Sequence, residues 1–292
     1  MSGSDQMLDP SGPFRHAGFD GQVAVITGGS QGLGLATAQL MKARGAAELL
    51  LVGRDRDKGA AAAAGLTDSG CRARFIAADL SSDDGTAAVL DRVGELVDDV
   101  HVFVNSAAAT WRGTVWNTTP QMWDEMLAIN VKAPGVLISG LARIMRERGI
   151  EGTMVLVSSI AHHGAMPTLW PYAASKHALE AMVKNAAFTL MPHRIRINTI
   201  NPGWMDTPGE DTIQRRFHGA EDGWLESAEA GQPFGRLLKP TEVARGICFL
   251  ASDESGMMTG ASVDFDQTIP GVGDLPRPDV VPYSFDWDGS DS

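Results

Sequence analysis

Tyr172 and Lys176 stand four residues apart in the segment Trp170-Pro171-Tyr172-Ala173-Ala174-Ser175-Lys176-His177-Ala178-Leu179. Its alanines and leucine favour a helix, in which four residues make about one turn, so both side chains leave on one face. A phenol titrates near ~10 and transfers protons poorly at neutral pH. An ammonium one turn away favours the phenolate and draws that pKa toward the working range. The pair is a candidate acid/base device, although solvent-facing helices carry the same spacing by chance. Its meaning rests on what the other segments bring to it.

A second chemical signal lies near the start. Val23-Ala24-Val25-Ile26 is a short, wholly apolar run, as a buried parallel strand requires. Thr27-Gly28-Gly29-Ser30-Gln31-Gly32-Leu33-Gly34 follows, and a helix from Leu35 to Arg44 closes at Gly45. Glycines between a strand and a helix let the backbone approach a pyrophosphate resting on the helix N-terminus. Arg54 comes twenty residues after Gly34, where such folds meet the adenosine ribose. Its guanidinium suits a 2′-phosphate and favours NADP(H), while the neighbouring Asp55 keeps NAD(H) open.

The elements that must position these residues alternate. Strands are expected at Glu48–Val52, Ala73–Ala78, Val100–Val104, Thr153–Val157, Arg196–Ile200 and Ala261–Phe265. Helices are expected between them, among them Lys58–Ala64, one capped by Ser82, Pro120–Arg148 with a break near Pro134, Tyr172–Leu190, and Thr241–Ala251 capped by Thr241. This order implies an α/β fold with one parallel sheet and helices on both faces. Ligands in such sheets bind beyond the strand C-termini, where Gly28, Arg54, Asp79 and Asn105 fall. Asn130 sits mid-helix, a disfavoured place that invites an explanation. Residues 1–20 read as an N-terminal arm, 21–268 as the nucleotide-binding domain with a helical cap at about 204–233, and 269–292 as an irregular arm.

The chain of 292 residues carries a net charge of −12, which argues against nucleic acid or an anionic membrane as main partner. Cys71 and Cys248 lie far apart and suggest neither a disulfide framework nor a metal knuckle, in keeping with a reducing compartment. The first twenty residues lack the apolar core of a signal peptide, and no apolar run is expected to cross a bilayer. A cytoplasmic protein is expected.

With Thr27–Gly34, Asp79, Asn105, Asn130, Ser159 and the Tyr172/Lys176 pair in this order, the chain resembles the short-chain dehydrogenase/reductase family, in its shorter single-domain branch. The resemblance covers about residues 21–267. It implies a Rossmann-type doubly wound sheet and hydride transfer between a nicotinamide and a ketone or secondary alcohol. Tyr172 would be the acid/base and would also line the cofactor. Lys176 would lower its pKa and bind the nicotinamide ribose. Ser159, thirteen residues before Tyr172, would hold the substrate oxygen, and Asn130 would hold a water in a proton relay. Gly28, Ser30, Gln31, Gly32, Leu33, Gly34, Leu80, Asn105, Ala107, Pro202 and Gly203 would line the cofactor. Asp79 would meet the adenine amine, and Thr207 the carboxamide.

The sequence departs from the family at three places. Asn105-Ser106-Ala107-Ala108 stands for Asn-Asn-Ala-Gly. Gln31 stands where phosphate-preferring members often carry Lys or Arg. Asp264-Phe265-Asp266-Gln267 replaces Asp-Gly-Gly.

His162, His163, Trp170, Trp204 and Met205 are expected to face a small-molecule carbonyl or alcohol, with Trp111 and Trp116 approaching from the loop after the fourth strand. Sugars, polyols, 3-oxoacyl groups, steroids and cyclic alcohols all fit the resemblance. No third ligand stands at an obvious spacing from His162 and His163, so no metal is expected. A homodimer or homotetramer through the long helices is implied by the family. Two other readings compete: a cofactor-sensing protein without turnover, and an enoyl reductase, which the four-residue Tyr/Lys spacing disfavours.

Overall fold

The computed structural model describes residues 18–164 and 166–269. Seven strands form one parallel sheet: β1 (Val23–Thr27), β2 (Glu48–Gly53), β3 (Arg72–Ala77), β4 (Val102–Asn105), β5 (Thr153–Val157), β6 (Arg196–Pro202) and β7 (Ser262–Phe265). Their order is β3-β2-β1-β4-β5-β6-β7, so the winding direction reverses between β1 and β4. That reversal opens a crevice at the strand C-termini, where Thr27 of β1 pairs with Val52 on one side and Asn105 on the other.

Period-two alternation sorts each strand between two cores. Val25, Leu50, Val52, Phe103, Met154 and Leu156 point to one face. There they meet α3 (Asp83–Leu96), α5 (Ala133–Arg148) and α6 (Trp170–Leu190). Ala24, Ile26, Leu49, Leu51, Val102, Val104 and Val155 point to the other. There they meet α1 (Gly32–Ala43), α2 (Arg56–Leu66) and α9 (Pro240–Ala251). A strand covered on both faces must be apolar throughout, which is why the runs were continuous rather than alternating.

The expected break in the long helix lies just ahead of Pro134. Helix α4 (Pro120–Leu127) passes into a π-helical turn, Ala128–Lys132, and then into α5, with Pro134 in the first turn of α5. A proline has no N–H for the carbonyl one turn back, and the wider turn absorbs it. Asn130 lies in that turn.

Helix α9 does not use Thr241 as its cap. Lys239 is the N-cap, Pro240 opens the helix, and the Glu242 carboxylate accepts from the Lys239 N–H at 2.9 Å. The N-terminal packing also begins earlier than the arm's expected end. Phe19 is fully buried, its N–H donating to the Arg44 carbonyl at 2.6 Å.

The expectation about membrane spans needs correcting too. The helical run 120–148 is long and apolar enough by length and composition to cross a bilayer. Its apolar stripe, including Leu137, Leu141 and Met145, is buried on the sheet. The tail from residue 270 lies outside the described residues, as do residues 1–17 of the N-terminal arm.

The expected cap consists of α7 (Pro208–His218) and α8 (Trp224–Ala230), neither of which has a fully buried residue.

Candidate active site

The glycine turn is shaped by contacts that only glycine permits. Gly28 has a φ of +68°, and a Cβ there would meet the Ala107 nitrogen at 2.9 Å. A Cβ on Gly34 would lie 2.3 Å from the Gly28 carbonyl oxygen. Thr27 fastens this turn to β4. Its hydroxyl donates to Asn105 Oδ1 at 3.0 Å and accepts from the Ser106 and Ala107 N–H groups at 3.1 Å. Gln31 begins α1 without a side-chain cap, and no acidic residue stands in its first turn. Gly32, at φ +54°, faces open space. The helix N-terminus therefore presents N–H groups that no side chain of its own cap engages, as a pyrophosphate requires.

At the end of β2 the two candidate ribose contacts separate. Asp55 is the N-cap of α2, with Oδ1 accepting from Asp57 and Lys58 N–H groups at 3.1 and 3.0 Å. That commits one carboxylate oxygen to the helix, beside the exposed Arg54. Asp79, after β3, accepts from the Ser81 N–H and hydroxyl at 3.0 and 2.8 Å. Those two bonds, aided by the Arg54 charge, hold its carboxyl below the usual range. Leu80 is buried beside it.

The acid/base group assembles at the C-terminal ends of β4 and β5. Ser159 Oγ accepts from the Ala161 N–H at 3.1 Å, and Ser159 acts to lower the Tyr172 pKa. Ser158 is turned the other way, donating to the Lys176 carbonyl at 3.3 Å. Lys176 is buried, its Nζ donating to the Val157 carbonyl at 2.8 Å and lying 5.5 Å from the centre of the Tyr172 ring.

Asn130 clamps the segment after β4. Its Oδ1 accepts from the Ala109 N–H at 2.8 Å, and its Nδ2 donates to the Ala109 carbonyl at 2.9 Å and to Ser175 Oγ at 3.0 Å. Ser175 in turn donates to the Tyr172 carbonyl at 2.7 Å. One buried amide thus ties β4, the π turn and α6 together.

The electrostatics correct one expectation. Burial pushes the Tyr172 pKa up, and this outweighs the lowering by the Ser159 hydrogen bond and the Arg112 charge; Glu210 raises it further. Lys176 is not among the groups that lower it. Its own pKa falls to about 8 through burial, opposed by Glu180. The shared helix face is as expected, but the ammonium reaches back to β5 rather than to the phenol oxygen.

A family model described as enoyl-(acyl carrier protein) reductase matches residues 28–267. The NADP-dependent (R)-specific alcohol dehydrogenase of Lentilactobacillus kefiri is 34% identical over 84% of this chain and 95% of its own length. The chain belongs to the short-chain dehydrogenase/reductase family. It is an NAD(P)(H)-dependent oxidoreductase acting on an alcohol or ketone. The cis-4-hydroxycyclohexanecarboxylate dehydrogenase of Sinomonas cyclohexanicum is 31% identical over 85% of this chain and 96% of that protein. The solved L-sorbose reductase of Gluconobacter frateurii, complexed with NADPH and L-sorbose, superimposes with a TM-score of 0.80. It is 29% identical, covering 87% of this chain and 98% of that one.

Within this dehydrogenase/reductase the expected substrate residues divide. Trp204 donates its Nε1–H to Glu210 Oε1 at 2.8 Å and stacks 6.4 Å from Trp224, so it binds the cap to the strand edge. Trp111 meets Phe217 of α7 edge-on at 6.5 Å, and its buried Nε1–H has no hydrogen-bond partner among the described residues. Trp170 packs on Trp123 at 5.4 Å. Trp116 is 91% exposed, and Met205 is partly buried against the core, bridged to Leu238. Thr207 is the N-cap of α7, accepting from the Glu210 N–H at 3.0 Å. Gly203 lies under Asp266 so closely that a Cβ would overlap its carboxylate, and Pro202 ends β6 beside it. His162 hydrogen-bonds through Nδ1 to the Ser159 carbonyl at 2.7 Å.

Sequence reasoning missed Arg112 and Glu210. Both charges act on Tyr172, and Arg112 Nη2 lies 3.5 Å from Glu210 Oε1. No spacing rule links residues ninety-eight positions apart. The altered C-terminal motif also has a visible use: Gln267 accepts from the Phe234 N–H at 2.9 Å and donates to the Arg236 carbonyl at 2.7 Å, stitching the end of the cap to β7.

Proposed function

We propose that the chain is an NADP(H)-linked ketoreductase or secondary-alcohol dehydrogenase with Tyr172 as its proton-transfer group. The observation that carries this reading is the buried Lys176 one turn from Tyr172, its Nζ 5.5 Å from the phenol ring, with Ser159 acting to lower the Tyr172 pKa. The dinucleotide, when bound, supplies or accepts the hydride. In reduction Tyr172 gives its proton to the carbonyl oxygen, and Ser159 donates a hydrogen bond where negative charge develops. Lys176, held against β5 by its bond to the Val157 carbonyl, would bind the nicotinamide ribose. Asn130 feeds the relay through its carbonyl. The residue one turn on is Pro134, which has no N–H, so that oxygen is without its α-helical donor and suits a water. In alcohol oxidation the same groups run in reverse.

Arg54 favours NADP(H): Asp55 Oδ1 is engaged as a helix cap, and the exposed guanidinium suits a 2′-phosphate. The relative from Lentilactobacillus kefiri, described as NADP-dependent, and the neighbour solved with NADPH support the same choice. Two free, buried cysteines suit a reducing cytoplasm. Apolar side chains exposed along the long helices, Leu127, Val136 and Phe188, suit a homo-oligomer. A nucleotide-binding domain over residues 21–268 is supported near its end by Gln267, which accepts from the Phe234 N–H.

Tyr172→Phe tests the assignment. Turnover of a ketone panel with NADPH should fall by roughly 10²–10⁴-fold, the range of general acid/base contributions. NADPH affinity by fluorescence titration should stay within about twofold of the parent, because the phenol is one contact among many along the dinucleotide. Undiminished turnover would sink it.

A further inference from the structure

We propose that His162, His163 and Asp264 form a binding site for a first-row divalent cation of the zinc class. The two histidines end the short 3₁₀ turn after β5, and Asp264 lies on β7, about a hundred residues away. One ligand atom from each falls within 4.8 Å of the others. The imidazole rings are 3.8 Å apart at a 38° tilt, and His163 Nε2 is 2.9 Å from Asp264 Oδ2. Zinc holds nitrogen and oxygen at roughly 2.0–2.2 Å, so side-chain rotation alone closes this set around an ion.

The supporting bonds orient the three ligands. The 2.7 Å contact from His162 Nδ1 to the Ser159 carbonyl requires the proton on Nδ1. That leaves the lone pair on Nε2, the tautomer a metal takes, with the backbone acceptor that usually supports a ligating histidine. Asp264 sits opposite Asn201 in the β6–β7 register, and Asn201 Nδ2 donates to its Oδ1 at 2.9 Å. This fixes the carboxylate with Oδ2 toward the histidines. His177 backs the turn, its Nδ1 3.2 Å from the His162 carbonyl.

Two imidazoles and one carboxylate suit Zn²⁺, Co²⁺ or Ni²⁺ better than Mg²⁺ or Ca²⁺, which prefer all-oxygen shells. His163 and Asp264 are exposed, so water can complete the coordination. The absence of a third ligand at sequence spacing was the reason to expect no metal here, and Asp264 removes that reason. The inference stands apart from the proposed reaction.

The test uses the full chain after treatment with a chelator. Calorimetric titration with Zn²⁺ should show one saturable site per chain, and Mg²⁺ should show none. His163→Ala and Asp264→Asn should each weaken Zn²⁺ by at least about tenfold, since even supporting residues around a metal contribute that much. Seven histidines offer other weak sites, so binding that neither substitution alters would overturn the proposal, as would the absence of a saturable site. Should a variant fold poorly, the parent chain still decides. Co²⁺ in the site should give intense low-symmetry d–d bands, and the weak spectrum of the hexaaqua ion would count against it.

Discussion

The cofactor edge and the cap are built on opposite principles. Around β1, α1 and β4, close packing leaves no freedom. Gly28 and Gly34 cannot carry a Cβ, Thr27 serves two strands at once, and α1 buries Leu33, Gly34, Thr37, Ala38 and Met41. The cap is held by polar contacts at its rim: Glu210 takes Trp204 and Gln214, Asp211 takes Arg215 and Trp224, and Lys239 takes Asp206. Exposed ion pairs of this kind contribute little each, whereas core packing tolerates almost no change. One half is made to hold a fixed ligand in one place. The other can change its contacts without unfolding the sheet, which suits a segment that admits different substrates.

Gly34→Ala puts that contrast to its hardest use. The new Cβ would stand 2.3 Å from the Gly28 carbonyl, so the phosphate turn must open. Overpacking of this sort costs about 1–3 kcal/mol. A lower melting temperature together with loss of NADPH fluorescence enhancement is expected; unchanged NADPH binding would mean that the turn is not the phosphate cradle. Arg54→Ala should act on one cofactor only. Charge-assisted hydrogen bonds contribute about 1.5–3 kcal/mol, so NADPH should weaken roughly 10- to 100-fold while NADH stays within about twofold. Equal weakening of both would remove Arg54 from the 2′-phosphate.

The same contrast governs what the sequence revealed. Apolar strands and obligatory glycines are local stereochemistry, and the spans of β1 and β5 follow from them directly. The places of Ser159, just past β5, and Tyr172, in the first turn of α6, were legible because strand and helix follow from local pattern. What stayed hidden depends on long-range contact. Phe19 is buried by the end of α1, Arg112 meets Glu210 across the cap, and Asp264 joins His162 and His163 through the β6–β7 register. The Tyr172 pKa was misjudged for a related reason. Helical spacing tells which face Lys176 shares, but not that its Nζ prefers the Val157 carbonyl or that burial dominates the phenol.

A smaller effect should come from Glu180, which lies one turn beyond Lys176 with Oε2 accepting from Thr199 at 2.8 Å and Oε1 buried without a partner. Its charge raises the Lys176 pKa, which burial has lowered to about 8. Lys176 is charged below that value and neutral above it. Glu180→Gln removes the supporting charge, so Lys176 should lose its proton at lower pH. Nitrogen-15 NMR of the lysine side chain reads this directly. A titration unmoved by the substitution would mean that Glu180 serves only to hold Thr199.

The mildest variant, Glu210→Gln, decides whether the cap merely covers the site or also tunes it. Glutamine keeps an acceptor for Trp204 and lies on a helix with no buried residue, so stability should change by no more than about 0.5 kcal/mol. Its charge raises the Tyr172 pKa, and Arg112 lowers it. With Tyr172 as the proposed base of alcohol oxidation, the rate should rise with pH as the phenol ionises. Removing the Glu210 charge should move that rising limb to lower pH, and Arg112→Met should move it to higher pH. Opposite shifts with nearly unchanged melting temperatures would show the loosely packed half setting the proton affinity of the rigid half. If Glu210→Gln unfolds the chain instead, the cap belongs to the core and the division between the halves fails.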